Sequence, residues 1–242
     1  MSGLTIAFAL LLYCAAALLI GGLAYRIAVY ARTPAPLRIP TTPAPLHATG
    51  VAWRMTREVV FFESLFKSSK WTWAFGWMFH LALLLVLARH LRYFTEPVWP
   101  VVALVQPFGL YAAFGMLAGI AGLWVRRVAV ARVRYVSTPS DHLMLALIAL
   151  IAATGLAMKY VAHTDIVAAK AFMLGLMYFD WQPLPPDPVL LAHLVLVALL
   201  MAIFPVSKLL HAPGLFFSPT RNQADDARER RRVAAWAAAL EN

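Results

Sequence analysis

The chain has 242 residues, of which 62% are hydrophobic and only 13% are charged. This apolar share is well above that of a soluble globular domain, so the composition predicts an integral membrane protein. The net charge of +10 lies mostly in the loops between apolar stretches. There it favours the anionic headgroups of a lipid bilayer or an acidic protein partner, and not a nucleic acid.

Five uncharged runs predict five membrane spans. A helix needs roughly 20 apolar residues to cross the hydrocarbon layer. The shortest run reaches a comparable length when it is extended through His142 and residues 160–162. The runs are residues 4–25, 71–88, 97–125, 143–158 and 188–207. We therefore expect an all-α integral membrane fold, a bundle of five transmembrane helices.

The first run predicts a membrane anchor that is not cleaved. A signal peptide carries basic residues before its apolar region, whereas the first basic residue here, Arg26, follows the run. The spans and their loops, including a cytoplasmic loop at 26–70, form one membrane domain over residues 1–216. A basic cytoplasmic tail covers residues 217–242.

The distribution of Lys and Arg predicts the orientation. Segments 26–70, 126–140 and 208–242 together carry 17 of these residues, and segments 89–96 and 159–187 carry 4. The positive-inside rule places the 17 in the cytoplasm. The predicted location is the inner (cytoplasmic) membrane, with the N-terminus outside and the C-terminus inside.

The segments between spans give further expectations. Residues 33–48 are proline-rich and predict an extended linker. Residues 51–69 mix apolar and basic side chains, which suits an amphipathic helix on the membrane surface and a subunit-docking face equally well. Residues 163–187 contain an apolar core at 171–179 that is too short to span, so we expect a cap or a re-entrant piece. The arginine-rich tail from residue 228 suits either a helix or a solvated segment.

The chain contains one cysteine, Cys14. A single cysteine cannot form an internal disulfide, an Fe–S cluster or a covalent haem attachment. We expect it to be a small buried apolar residue.

Four histidines near the ends of two spans predict a cofactor site. His80 and His90 are ten residues apart on the second span, and His193 and His211 are eighteen apart around the fifth. Eighteen residues complete whole helical turns, so a continuous helix would point both of its histidines one way. Ionisable side chains at membrane depth usually mark function. Two pairs on two helices are the arrangement that holds two stacked b haems, each iron bound by two imidazoles.

Topology predicts which histidines pair. The second and fifth spans run in opposite directions, so His90 meets His193 near the outer surface and His80 meets His211 near the inner one. The two spacings correspond to roughly 15 and 27 Å of helix. Helix tilt or a kink at Pro205 would absorb the difference. Arg89 and Arg92 flank His90 and would contact haem propionates or anchor the helix at the interface.

The same pattern resembles a known family, the cytochrome b (gamma) subunit of respiratory nitrate reductase, over residues 4–211. Residues 64–80 and 89–93, with Asp141-His142 and Lys208-Leu-Leu-His211, are most similar to DsrM, the cytochrome b of the Dsr sulfur-metabolism (sulfite-reduction-associated) membrane complex. The resemblance implies that the four histidines are axial haem ligands.

The resemblance also implies partners. The family is quinone-reactive, and its cytoplasmic partner is an Fe–S protein, DsrK, which resembles the catalytic subunit of heterodisulfide reductase. The wider complex has a second membrane subunit and periplasmic Fe–S and multihaem subunits. A quinone site needs polar groups with access to water. We expect it near the outer haem, among Arg92, Glu96, Lys159 and His163.

These observations favour an electron-transfer subunit of an oxidoreductase complex. Two alternatives remain at this point. One is a proton or ion transporter that uses the histidines as a relay, although no acidic residue lies in mid-span. The other is a haem-free membrane anchor for a partner subunit.

Overall fold

The structure, a computed structural model, describes residues 1–34, 40 and 42–226, and its regular elements are helical. Five of the helices are long and apolar enough to cross a membrane, which confirms the predicted all-α, five-span architecture. In chain order the helices are α1 Gly3–Arg32, α2 Ala48–Phe61, α3 Glu63–Ser68, α4 Lys70–His90, α5 Pro100–Ala129, α6 Ala131–Tyr135, α7 Pro139–Tyr160, α8 Ile166–Tyr178, α9 Pro188–Ile203, α10 His211–Gly214 and α11 Pro219–Asn222. The five long spans are α1, α4, α5, α7 and α9.

The spans present apolar side chains on their outer surfaces. Ile20, Leu84 and Leu104 are 69%, 62% and 70% exposed, which suits contact with lipid tails. The chain is therefore a multi-pass membrane protein. Cys14 is also exposed, so the expectation that it is buried was wrong. Helix α1 buries the face of Leu12 and Ala15, and Cys14 lies on another face.

The interior consists of two apolar clusters. One joins α1, α8 and α9 around Phe172, which is 1% exposed. The other joins α4, α5 and α7 around Met116 and Ile120. Contacts between α7 and α9 connect the two halves.

Helices α4 and α5 approach each other closely because α5 carries glycines on the facing side. A Cβ atom at Gly119 would lie 2.8 Å from the Cβ of Phe79 and 3.0 Å from the Phe75 carbonyl oxygen. Small residues at such contacts let membrane helices pack backbone to backbone. This contact fixes the position of α4, which carries His80 and His90.

Side-chain contacts define the two ends of the bundle. At what we call the basic end, Arg26 of α1 reaches Pro205 and Arg127 of α5 reaches Asp141. At the opposite end, Glu96 pairs with Lys170 of α8. Helix α8, at 13 residues, is too short to span, and it begins earlier than the 171–179 core predicted from sequence.

The α2–α3 segment is attached to α4 at the basic end. The indoles of Trp73 and Trp77 donate to the carbonyls of Phe61 and Val60 at the end of α2, at 2.7 and 2.9 Å. In α3, the hydrogen bond from Lys67 holds the pKa of Glu63 below its usual range. Part of the predicted proline-rich linker (35–39 and 41) and residues 227–242 of the predicted basic tail lie outside the described residues.

Candidate functional site

The structure brings the four histidines together as two pairs. The ring centroids of His80 and His211 are 6.0 Å apart, and those of His90 and His193 are 6.4 Å apart. These are the two pairs that the alternating directions of the spans predict. We call His80 and His211 the basic-end pair, and His90 and His193 the opposite-end pair.

Both separations fit a metal ion held between two rings. An imidazole nitrogen binds a first-row metal ion at about 2.0–2.1 Å, and the ring centre lies about 1.1 Å behind that nitrogen, so two rings on opposite sides of one ion have centres about 6.2 Å apart. The observed 6.0 and 6.4 Å lie on either side of that value. The donor set, two neutral imidazoles, is one that iron in haem accepts.

Three of the histidines have a fixed tautomer because Nδ1 donates to a carbonyl one helical turn earlier. His80 donates to Gly76 at 2.7 Å, His90 to Val86 at 2.7 Å, and His211 to the carbonyl of Lys208 at 2.9 Å. A carbonyl oxygen only accepts, so Nδ1 carries a proton, and in the neutral ring Nε2 then keeps its lone pair. Such hydrogen bonds orient metal-binding histidines and make them more basic.

The fourth histidine, His193, is oriented by another helix. Its Nδ1 lies 2.9 Å from Oγ1 of Thr154 in α7. The Thr154 hydroxyl already donates to carbonyls of its own helix, at Leu150 and Ile151. With its only proton used, Oγ1 accepts from His193, and Nε2 of His193 is again free to bind a metal. Sequence reasoning missed Thr154, because a threonine at mid-span carries no distinguishing pattern.

The helices that carry the pairs are not packed against each other. In the described part of the chain, α4 packs on α5, and α9 packs on α1 and α7, whereas α4 and α9 make no extensive backbone contact. Their histidine rings nevertheless face one another.

One expectation about the fifth span was wrong. Helix α9 ends at Ile203, and 3₁₀ turns at Phe204–Val206 and Lys208–Leu210 carry the chain to His211. His193 and His211 therefore do not share one continuous helix, and His211 lies beyond the end of the span. The cause is Pro205, which cannot continue the helical hydrogen bonding.

Aromatic rings enclose His80 at the basic end. The rings of Phe62 and Phe79 each meet the His80 ring edge-on, with centroids 5.0 Å apart. Phe62 joins α2 to α3 with φ of 51°, a left-handed conformation that is unfavourable for a phenylalanine. Such strain is often found at functional sites. The pattern of residues 51–69 predicted an amphipathic segment but not this contact.

Arg89 and Arg92, the predicted propionate contacts or interface anchors, both reach Gln106 of α5. Arg89 donates to the Gln106 carbonyl, and Arg92 donates to its Oε1 at 3.1 Å and to the Tyr93 hydroxyl at 3.1 Å. The two guanidinium groups are therefore held against α5. Gln106 was not identified from sequence, since a lone amide in an apolar span is ambiguous.

The four residues predicted to form a quinone site are not linked to each other by any hydrogen bond or ion pair among the described residues. Glu96 pairs with Lys170 of α8, which the sequence did not indicate. His163 is exposed, has φ of 51°, and donates to the nearby Val161 carbonyl. Lys159 is exposed at the end of α7.

With this geometry established, comparison with known proteins places the chain in a family. The family model described as nitrate reductase gamma subunit matches residues 45–225, about three quarters of the sequence. The chain belongs to the nitrate reductase gamma subunit family. The match includes both histidine pairs and confirms the resemblance stated from the sequence.

Two curated relatives cover nearly the whole chain. A protein of Archaeoglobus fulgidus is 35% identical over 93% of this chain and 81% of its own length. A protein of Archaeoglobus profundus is 34% identical over 96% of this chain and 83% of its own length. Both are named Hdr-like menaquinol oxidoreductase cytochrome b-like subunit.

Proposed function

We propose that this gamma-family chain is a di-haem b subunit that transfers electrons between membrane quinone and an Fe–S partner. The observation that carries the proposal is the geometry of the two histidine pairs. Each pair has the ring separation of a two-imidazole metal site, and all four Nε2 atoms are free because Nδ1 is hydrogen-bonded. The names of the relatives support quinone-linked electron transfer.

The protein's own residues bind and orient the cofactors. Haem supplies the one-electron redox chemistry when bound, and without Cys-x-x-Cys-His it is held non-covalently. The four histidines would hold the iron through their Nε2 atoms, and the hydrogen-bond partners of Nδ1 fix the direction and basicity of each ring. Arg89 and Arg92 lie beside His90, where a guanidinium group can pair with a propionate.

We place quinone chemistry at the opposite end, near His90 and His193. Arg92, Glu96, Lys159 and His163 are the polar groups proposed to exchange protons with quinone. Glu96 and His163 are exposed, so protons released there have access to water. The ion pair of Glu96 with Lys170 adds α8 to the wall of this site.

We place the basic end in the cytoplasm of an inner-membrane protein, following the positive-inside rule. The proposed partner is an Fe–S subunit of the DsrK or heterodisulfide reductase type, within a complex that has further membrane and periplasmic subunits. The α2–α3 segment lies against His80 through Phe62. It also exposes apolar side chains, with Trp53 at 60% and Phe61 at 55%. These features support docking of a subunit close to the basic-end pair.

Quinol-dependent haem reduction tests the proposal. The purified chain, reconstituted in vesicles, is mixed with a menaquinol analogue while haem absorbance is followed. We expect reduction of the haems, slowed in Lys159→Gln and His163→Ala variants that keep their full haem content. Arg132→Gln, at the exposed basic end, serves as the matched control and should behave as the unmodified chain.

The outcomes separate the parts of the proposal. Equal rates in all variants would contradict the placement of the quinone site. Reduction by dithionite but not by quinol would contradict the quinone reaction. A protein without haem would favour the transporter or the haem-free anchor.

A further inference from the structure

The basic-end pair poses a structural problem that the opposite-end pair does not. His211 is exposed and lies past the end of the fifth span, as the first residue of the four-residue helix α10 that follows the turn at Lys208–Leu210. Its Nδ1 donates to the carbonyl of Lys208 at 2.9 Å. The direction of the His211 ring therefore depends on where residue 208 is held.

Residue 208 is held by a buried carboxylate of another span. The Nζ of Lys208 lies 2.6 and 2.8 Å from the two oxygens of Asp141 in α7. The side chain of Asp141 is 6% exposed, and it also lies 3.3 Å from Nη1 of Arg127 in α5. Thr138 donates to the same carboxylate through its backbone N–H and its hydroxyl, both at 2.9 Å.

Such a carboxylate is a rigid anchor. An exposed ion pair contributes little because both side chains move freely. Here the Lys208 side chain is 70% exposed, but Asp141 is 6% exposed and has donors on both oxygens, so α5 and α7 together define the position of the carboxylate that Lys208 reaches. Charge-assisted hydrogen bonds of this kind are short and directional.

Helix α1 holds the chain at Pro205, just after the end of α9. Nε of Arg26 donates to the carbonyl of Pro205 at 3.0 Å. Gly22 lies against the same proline, and a Cβ atom there would be 2.6 Å from the Cβ of Pro205. The segment between α9 and His211 is thus held from two directions, by α1 at residue 205 and by Asp141 at residue 208.

We propose that Asp141 is a positioning residue for the basic-end haem, acting through Lys208 to set the direction of His211. The inference rests on the proposed role of His211 as an iron ligand. It predicts that the ion pair between Asp141 and Lys208 affects the basic-end haem and not the opposite-end haem. If Asp141 only stabilised the start of α7 through its bonds with Thr138, its loss would affect the two haems equally.

The Lys208→Met variant separates these roles. It removes the ion pair but keeps the Lys208 carbonyl, the Thr138 bonds and the Arg127 contact. Loss of a group that orients a metal ligand typically weakens metal binding 10–100-fold. We expect about a tenfold weaker affinity for the basic-end haem, with a shifted midpoint potential and electron paramagnetic resonance signal. The opposite-end haem in the same sample should be unchanged.

Three further variants complete the test. Asp141→Asn should reproduce the selective effect, and Lys208→Arg should restore the signal of the unmodified chain. Lys67→Met is the matched control. It breaks an ion pair of the same length, 2.6 Å, with Glu63, and that pair has no hydrogen bond to His211.

Each outcome bears on one proposal. Selective loss or a selective shift of the basic-end haem supports the positioning role. Unchanged affinity and signal in Lys208→Met, or an equal loss of both haems in Asp141→Asn, would overturn it. Absence of haem from the unmodified chain would overturn the proposed function instead.

Discussion

The two histidine pairs consist of the same type of residue but are built differently. In the opposite-end pair, both histidines lie on regular helices, His193 is only 8% exposed, and the two ring planes are 12° apart. In the basic-end pair, His211 is exposed at the start of the four-residue helix α10, and its ring plane is 88° from that of His80. The opposite-end pair is positioned by two spans. The basic-end pair is positioned by one span and by the segment between α9 and His211.

This difference gives the two sites different surroundings. In the opposite-end pair, His193 is buried and is oriented by the hydroxyl of Thr154, and the ring of Tyr93 lies 5.9 Å from that of His90. The basic-end pair lies under Phe62 and beside exposed loops. An electron leaves or enters a membrane protein most readily where a ligand is close to the surface. We therefore expect the basic-end site to exchange electrons with a soluble partner.

Removal of one ligand is the strongest test of the comparison. We expect His193→Ala to lose the opposite-end haem and keep the other, because an apolar pocket with a single imidazole holds iron weakly. His80→Ala should show the reverse. Haem content and the reduced-minus-oxidised spectrum measure both. Loss of both haems, or of neither, in a folded variant would contradict the assignment of separate pairs.

The ring planes predict two distinct magnetic signatures. When two imidazole planes cross, the d orbitals that interact with them stay close in energy, and low-spin ferric haem shows a very anisotropic spectrum. When the planes are parallel, those orbitals split and the spectrum is more rhombic. We expect one signal of each kind, with the anisotropic one absent from His80→Ala. Two identical signals would mean that the ring angles of 88° and 12° do not persist.

A smaller effect should follow from Thr154→Val. The substitution removes the acceptor for Nδ1 of His193 at nearly constant volume, so the ligand becomes less basic and ferric iron is less stabilised. The midpoint potential of the opposite-end haem should rise, and its affinity should fall about tenfold. Thr154→Ser should restore both. A potentiometric titration checks this, and a change in the basic-end haem would count against the assignment.

The smallest expected change comes from a substitution that acts on both pairs alike. Gly119→Ala places a Cβ atom 2.8 Å from that of Phe79, so α4 must move away from α5. Overpacking of this kind costs about 1–3 kcal/mol. Both haems should be weakened together, with a lower melting temperature. Gly115→Ala is the control, since its Cβ meets Ala82 at an ordinary 3.6 Å.

Sequence reasoning identified the features that depend on composition and on the alternating directions of the spans. Long uncharged runs predicted the five spans, because crossing a membrane demands length and apolarity. Alternating directions predicted which histidines approach one another, since the depth of a residue follows from its place along a span. These arguments need no knowledge of side-chain contacts.

Contacts between distant segments could not be predicted in this way. Thr154, Gln106 and Lys170 matter through partners far away in the chain, and each is ambiguous by itself. The break after Ile203 was only partly foreseen. Pro205 indicated a kink, but the path of the chain from Pro205 to His211 depends on contacts with Arg26 and Asp141.

The haem content of the purified, unmodified chain tests the central claim most directly. A dithionite-reduced minus oxidised spectrum, with pyridine haemochrome quantification, counts the b haems per chain after expression with adequate haem supply. We predict two, one for each histidine pair. A colourless protein, or a single haem that survives loss of either pair, would contradict the account.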